Sequence, residues 1–389
     1  MAQTEFPRFS DSEYQRRYAA IRAMMAREGV EALVIFGNGS LGRTGQADLH
    51  YISNFLGTRD NLAVFPLRGE PTLLVQSRNH APDAQRASVI ADTRWGGPNS
   101  AVPALTQLRD LGITSGRIGF VGIVPFQVYV TITRDLPGIE VVDLSRAFRR
   151  LRVDKSDEEI EWMRRGAAYT DMAAAALARE LKPGLREYEL GAILEAGYLR
   201  EGGQLHFHYV SSTSMVDSER CVPAQNMSDR VIEAGDVILT EISAHYWGYS
   251  GQVLRPYVVA AEPTPEYQQL YDVAEEAYRL VCDAIRPGVK ATEVLEVARY
   301  IDDTGFTIVD ALVHGFGIGL LPPSIDTPAT QEHPLGDFTF RKNMTLVVQP
   351  NIVTKDLRKG VQLGNLCVVT DNGLENLQQF PNQFVRCGR

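Results

Sequence analysis

The sequence predicts two domains, an α/β domain followed by an α+β domain of mostly antiparallel strands. Three observations carry this expectation. At 389 residues the chain is long for a single hydrophobic core. Short apolar strands alternate with helices up to about Leu144. Beyond a seam at Leu151–Ser156, a pair of helices is followed by strands, and the pattern then repeats. The expected boundary assigns residues 1–150 to the first domain and 151–389 to the second.

In the first domain Tyr14, Tyr18, Ile21, Met24 and Met25 fall at helical spacing over Asp11–Glu28, with Ser10 or Asp11 as cap and Gly29 as stop. Glu31–Gly37 reads as a buried strand, and Leu62–Leu67, Pro71–Val75 and Arg117–Val121 as further short strands. Helical segments are expected around Ala81–Ala87 and Val102–Leu111. No Gly-x-Gly-x-x-Gly follows the first strand, which argues against a dinucleotide site. In the second domain Ser156-Asp-Glu-Glu159 forms a capping box that opens a helix running to Pro183-Gly184. A second helix spans Glu187–Glu201. His206–Ser211 alternates as a strand that would place His206 and His208 on one face. Helices over Pro265–Ile285 and Thr292–Thr304 precede two final strands, Met344–Val353 and Val361–Val369.

Between these lies the stretch on which the rest is organised, Asp236–Tyr257. It reads as a β-hairpin with strands Val237–Ser243 and Gln252–Val259, joined through Gly248 and Gly251. Glu241, His245, Gln252 and Arg255 interrupt segments otherwise apolar enough to be core, so they require either a ligand or a satisfied network of their own.

Composition narrows the class. The chain is 44% hydrophobic and 22% charged, with no apolar run long enough to span a bilayer. A net charge of -9 argues against a nucleic-acid partner. Residues 1–10 lack the positive start and apolar segment of a signal peptide. Cys221, Cys282, Cys367 and Cys387 are scattered with no Cys-x-x-Cys pair, as expected of free thiols in a reducing compartment. These features predict a cytoplasmic protein with no membrane partner.

Four motifs occur in a set order: the hairpin with Gly248-Tyr249 and Arg255, His314-Gly-Phe-Gly-Ile-Gly319, Val348-Gln349-Pro350, and Gly360-Val-Gln-Leu-Gly-Asn365 before Val368–Gly373. Together they resemble the pita-bread family that holds creatinase, prolidase, aminopeptidase P and methionine aminopeptidase, the peptidase M24-like group. Arg17–Val34, Tyr51-Ile-Ser-Asn-Phe55 and Asp154–Ile160 resemble the creatinase-type N-terminal domain and its linker, so the resemblance covers nearly the whole chain. It implies a creatinase-type α/β N-terminal domain, a pita-bread α+β C-terminal domain, and a homodimer in which the partner's N-terminal domain lies near the site.

The peptidase branch of that family holds two divalent ions with two aspartates, a histidine and two glutamates. Matched residue by residue, these fall here at Glu241, Gln252, His314, Gln349 and Gly364, so one carboxylate remains of four. Hard cations need charged oxygen ligands, and this set predicts no metal and no other cofactor. Creatinase works without a metal through a histidine, but that position falls at Pro223-Ala224, and a second family histidine falls near Leu321-Pro322-Pro323. Creatine itself is therefore not the expected substrate.

Proton transfer is then assigned to His314, which titrates near neutrality and sits among glycines, with Glu241 as its carboxylate partner. His206 and His208 are alternative bases, and Cys221 a weaker candidate nucleophile. Gln252, Gln349, Arg255, Tyr249 and His245 are expected to bind substrate, with Trp247 on the pocket wall and Arg255 favouring a substrate carboxylate. The expected activity is metal-independent hydrolysis of a non-peptide C–N bond in a small polar molecule. A metallopeptidase of the Xaa-Pro type with an unusual ligand set, a catalytically silent binding protein or scaffold, and a non-hydrolytic elimination remain as alternatives.

Overall fold

A computed structural model describes residues 5–388 and divides the chain into two compact units, the first ending at Arg152 and the second beginning at Val153. The first unit runs α1 (Asp11–Glu28), β1 (Ala32–Gly37), α2 (Ala47–Ser53), β2 (Asn61–Pro66), β3 (Thr72–Val75), α3 (Ala81–Ala87) and β4 (Asp92–Trp95). It closes with α4 (Ala101–Asp110), β5 (Ser115–Val121), α5 (Phe126–Asp135), β6 (Gly138–Asp143) and α6 (Ser145–Arg150). Its six strands form one mixed sheet in the order β4-β3-β2-β1-β5-β6, with the wholly apolar β1 at the centre and buried along its length. The Ser10 hydroxyl caps α1 by accepting from the Glu13 N–H, and Gly29 ends the helix in the left-handed conformation. Short or amphipathic segments with no strong cap, such as α2, α5 and β6, lie outside the elements expected from the sequence.

The second unit opens with α7 (Asp157–Glu180), α8 (Glu187–Ala196), β7 (Gln204–Ser214), β8 (Asp236–Tyr246), β9 (Tyr249–Ser250), β10 (Val253–Leu254) and β11 (Tyr257–Val259). It continues through α9 (Pro265–Ala284), α10 (Ala291–Val297), α11 (Arg299–Asp303), β12 (Val313–Gly317), β13 (Gly319–Ile325) and β14 (Thr345–Val348). The chain then forms β15 (Ile352–Val353), β16 (Gly360–Val361), β17 (Gly364–Thr370), β18 (Gly373–Asn376) and β19 (Val385–Cys387). The reciprocal capping box of Ser156 and Glu159 starts α7 as expected.

An 11-stranded sheet has the path β13-β12-β14-β17-β10-β8-β11-β19, with β7 and β9 on β8 and β18 on β17. Its pairings are antiparallel except β11 with β19. The hairpin is more broken than expected. Trp247 and Gly248 both take positive φ (46° and 92°) to turn β8 into β9, the two-residue turn whose twist suits antiparallel strands. Ile238, Ile242, Ala244 and Val253 pack with Ala173, Leu177, Leu190 and Leu194 of α7 and α8, while Val313, Leu346 and Val348 join the core built on α9.

Candidate active site

Strand register alone brings the singled-out residues together. Val253 pairs with both Ile242 and Asn365, Asn365 with Val348, and Val348 with Val313. Directly paired residues share a face and their chain neighbours take the other. Glu241, Gln252, Gly364, Gln349 and His314 therefore lie in one row across five strands, on the face opposite the packed Ile242, Val253, Val348 and Val313.

Within that row the side chains form a hydrogen-bonded chain. Gln252 Nε2 donates to Glu241 Oε1 at 2.8 Å and to Gln349 Oε1 at 3.0 Å. Gln349 Nε2 donates to Asp310 Oδ2 at 2.9 Å, and Asn351 Nδ2 reaches the same oxygen at 3.3 Å. His314 Nε2 lies 3.3 Å from Gln349 Oε1 and its Nδ1 3.2 Å from the Gly315 carbonyl. Because Asp310 accepts, Gln349 must turn its N–H₂ there and its oxygen inward. That forces the N–H₂ of Gln252 toward Gln349 and leaves Gln252 Oε1 buried with no partner. His314 faces an acceptor at each ring nitrogen, so a neutral imidazole can donate to only one of them.

Asp310 was not singled out by the sequence. It sits in a loop four residues before His314, where an acid is unremarkable, and only the fold shows that it orients the row. The Glu241 carboxyl is raised to about 8, first by burial and then by the Asp310 charge. Burial holds His314 below the usual imidazole range, opposed by the Gly315 carbonyl, Asp310 and Gln349. No lysine or arginine is among the groups that shift either residue.

Around the row stand aromatic rings. Tyr209 pairs with Glu241 and Phe207 with Ser243, so both share the site face, and their rings stack at 4.5 Å. His206 reaches this face by an unexpected route. It is the extra residue of a bulge between Leu205 and Phe207, and it stacks on Phe316 at 5.8 Å with Nδ1 2.7 Å from Ser250 Oγ. The bulge breaks the alternation that was expected to keep both histidines together. His208 pairs with Ile242 on the packed face, where its Nε2 meets Tyr198 Oη at 3.0 Å. It is a core histidine and not a catalytic one, held down to about 4 by burial.

Three other expectations are corrected by the contacts. Arg255 is fully buried and spends every N–H on the chain: Nε on the Pro381 carbonyl, Nη1 on those of Leu254 and Gly364, and Nη2 on Asn365 Oδ1 and the Phe380 carbonyl. A guanidinium with no donor left cannot clamp a substrate carboxylate. Tyr249 donates to Glu159 Oε1 at 2.7 Å and packs edge-on to Trp162, so it ties the turn to α7 and does not bind substrate. His245 Nδ1 accepts from the Gly248 N–H at 2.8 Å, which makes it a fastener of the turn. The glycines beside His314 likewise serve the sheet, since a Cβ at Gly315 would lie 2.4 Å from the Pro322 carbonyl oxygen. Burial pushes the Cys221 thiol up, away from the thiolate a nucleophile needs.

The divalent pair implied by the family resemblance does not fit these residues. An amide N–H₂, which can donate but not ligate, lies between Glu241 and Gln349 where ligand oxygens would converge. Among the described residues no cluster of three or more His, Cys, Asp or Glu could hold a metal. The last glutamate position is filled, not merely neutral. A Cβ at Gly364 would meet Gln349 Cβ and Leu254 Cδ1 at 2.8 Å and the Val348 carbonyl at 3.0 Å. Gly364→Ala is accordingly expected to destabilise the chain by about 1–3 kcal/mol, read from its urea midpoint. An unchanged midpoint would show that the row can spread to admit a larger residue.

Comparison with known proteins fits this architecture. The family model for metallopeptidase family M24 matches residues 161–371, and that for the creatinase/prolidase N-terminal domain matches 17–153. The probable dipeptidase PepE of Mycobacterium tuberculosis is 26% identical over 404 residues, covering 97% of this chain and 98% of that protein. A creatinase of Bacillus sp. is 23% identical over 399 residues, covering 96% and 92%. The solved Xaa-Pro dipeptidase from Bacillus anthracis superposes with a TM-score of 0.80 at 20% identity over 96% of this chain and 99% of that one, which establishes the shared pita-bread fold. With its α/β N-terminal domain and its pita-bread C-terminal domain, the chain belongs to metallopeptidase family M24.

Proposed function

We propose that this member of the family hydrolyses a C–N bond in a small polar molecule by proton transfer between side chains, without a metal centre. The observation that carries this reading is the Gln252 amide donating to both Glu241 and Gln349 at the positions where carboxylate ligands would surround ions. Glu241 is the proton-transfer group. It is uncharged at neutral pH because its carboxyl is raised to about 8. Its Oε1 accepts from Gln252, which leaves Oε2 for the substrate. Glu241 protonates the departing nitrogen and regains a proton from the water whose oxygen bonds to carbon, so the carboxyl ends as it began. His314, tied to Gln349 and facing the Gly315 carbonyl, positions the row. His206, on the same face, is the second base this geometry offers. The match to a creatinase over most of the chain supports the reading.

A second reading, a metallopeptidase of the Xaa-Pro type with an unusual ligand set, is favoured by the match to a probable dipeptidase over nearly the whole chain. One assay separates the two. Protein stripped with chelator is offered small amides and amidines, and in parallel Xaa-Pro dipeptides with and without added Mn²⁺. Turnover of an amide or amidine that the chelator leaves unchanged is the expected result. Dipeptide cleavage that appears only with Mn²⁺ would return the chain to the peptidase reading.

A further inference from the structure

Two buried atoms here are left over once the internal hydrogen bonds are assigned, both of them acceptors, and a charged acceptor stands beside them. Gln252 Oε1 is buried without a partner, and its direction is dictated by the neighbouring amide. Asn351 is 2% exposed; its Nδ2 goes to Asp310 and its Oδ1 is also buried without a partner. Asp310 is exposed to solvent, with Oδ1 on the Ala311 N–H and Oδ2 shared by Gln349 and Asn351. Buried acceptors without donors are costly, and they persist where something brought from outside completes them.

The surrounding charge has the same sign. Burial first, then Asp310 and Glu332, raise the Asp326 carboxyl, while His333 opposes them. The one arginine of the hairpin is consumed elsewhere, in the Pro381, Phe380 and Gly364 carbonyls. The ring faces of Phe207, Tyr209 and Phe316 add surfaces that attract cations.

We infer that the site takes an organic cation rich in N–H donors, a primary ammonium or an amidinium, whose charge meets Asp310 and whose hydrogens complete Gln252 and Asn351. The inference rests on the proposal that this row is the substrate site, and it replaces the carboxylate-bearing substrate that Arg255 suggested from the sequence. A substrate carboxylate would face acceptors and acids, and no lysine or arginine is among the groups that shift Glu241 or His314. An ammonium or amidinium has two or more hydrogens to distribute, as many acceptors as the row leaves open.

Calorimetric titration of the full chain, stripped with chelator, tests this with four small probes: n-propylammonium, acetamidinium, propionate and acetamide. The two cations are expected to bind, more weakly as salt rises, and propionate not to bind. Asp310→Asn keeps an acceptor for Gln349 and removes the charge, and should weaken cation binding about tenfold. Propionate binding more tightly than propylammonium, no cation binding at all, or an Asp310→Asn protein that binds cations as wild type does would each overturn the inference. So would stoichiometric Mn²⁺ binding that the organic cations fail to compete with. Cation binding without turnover of any amide or amidine would sink the hydrolase and leave this inference standing. Turnover confined to anionic substrates, with no cation binding, would do the reverse.

Discussion

Glu241→Gln is expected to lower turnover by about 10²- to 10⁴-fold, the usual worth of a positioned acid or base, without unfolding the chain. Glutamine is nearly isosteric and its Oε1 still accepts from Gln252 Nε2, so the row survives and only the transferable proton is lost. The same variant should change how stability depends on pH. The folded chain holds the Glu241 proton up to about 8, whereas the ordinary carboxyl releases it near 4.5. Its stabilising contribution is therefore whole below 4.5 and falls as pH rises toward 8. Buried histidines work in the opposite direction. His50, His206 and His208 are lowered from 6.5 to about 3, 4 and 4, and His314 is lowered too, so they make stability rise with pH up to about 6.5. Above that point the histidine contribution fades over the next pH unit while the decline from Glu241 continues toward 8. Against Glu241→Gln, which keeps the histidines and lacks the carboxyl, the wild type should lose on the order of 2 kcal/mol between about pH 6.5 and 8 by urea denaturation. If the variant tracks the wild type through this window, the carboxyl is ionised in the fold and is not a neutral acid.

Where the sequence spoke clearly, it did so through local physics. Ser10, Gly29 and the Ser156–Glu159 box are start and stop signals whose hydrogen bonds are made within a turn; α1 begins and ends, and α7 begins, where they predict. The row of five site positions was legible for a different reason: motif order placed them, and antiparallel register then aligned them on one face. What stayed hidden depends on direction and not on residue type. A single bulged residue sent His206 to the site and left His208 in the core, and nothing local in His206–Ser211 marks the bulge. Asp310 belongs to a loop whose path is set by tertiary packing, so its bond to Gln349 has no periodic signature. Arg255 looked like a ligand-binding group because a buried arginine demands acceptors. The sequence does not say whether a substrate or the chain supplies them, and here the chain supplies all.

That last distinction has a large measurable consequence. Arg255→Met is expected to cost about 3–5 kcal/mol of stability, because removal of the guanidinium strips donors from several buried acceptors at once. The carbonyls of Leu254, Gly364, Phe380 and Pro381 and the Asn365 side chain lose their partner together. The apolar replacement fills the stem but offers no hydrogen to any of them. Arg255→Lys should recover little, since one ammonium has three donors in a cone where the native fork reaches five directions. The effect reaches the site through the backbone of β10 and β17, whose Leu254 and Gly364 carbonyls accept from Arg255, and Gly364 lies against Gln349. In whatever fraction remains folded, KM for the substrate should therefore be nearly that of the wild type. A substrate clamp would behave in the opposite way, with KM raised and the melting temperature kept. The two measurements on one variant thus decide whether the charge in the middle of the hairpin holds the molecule together or holds its ligand.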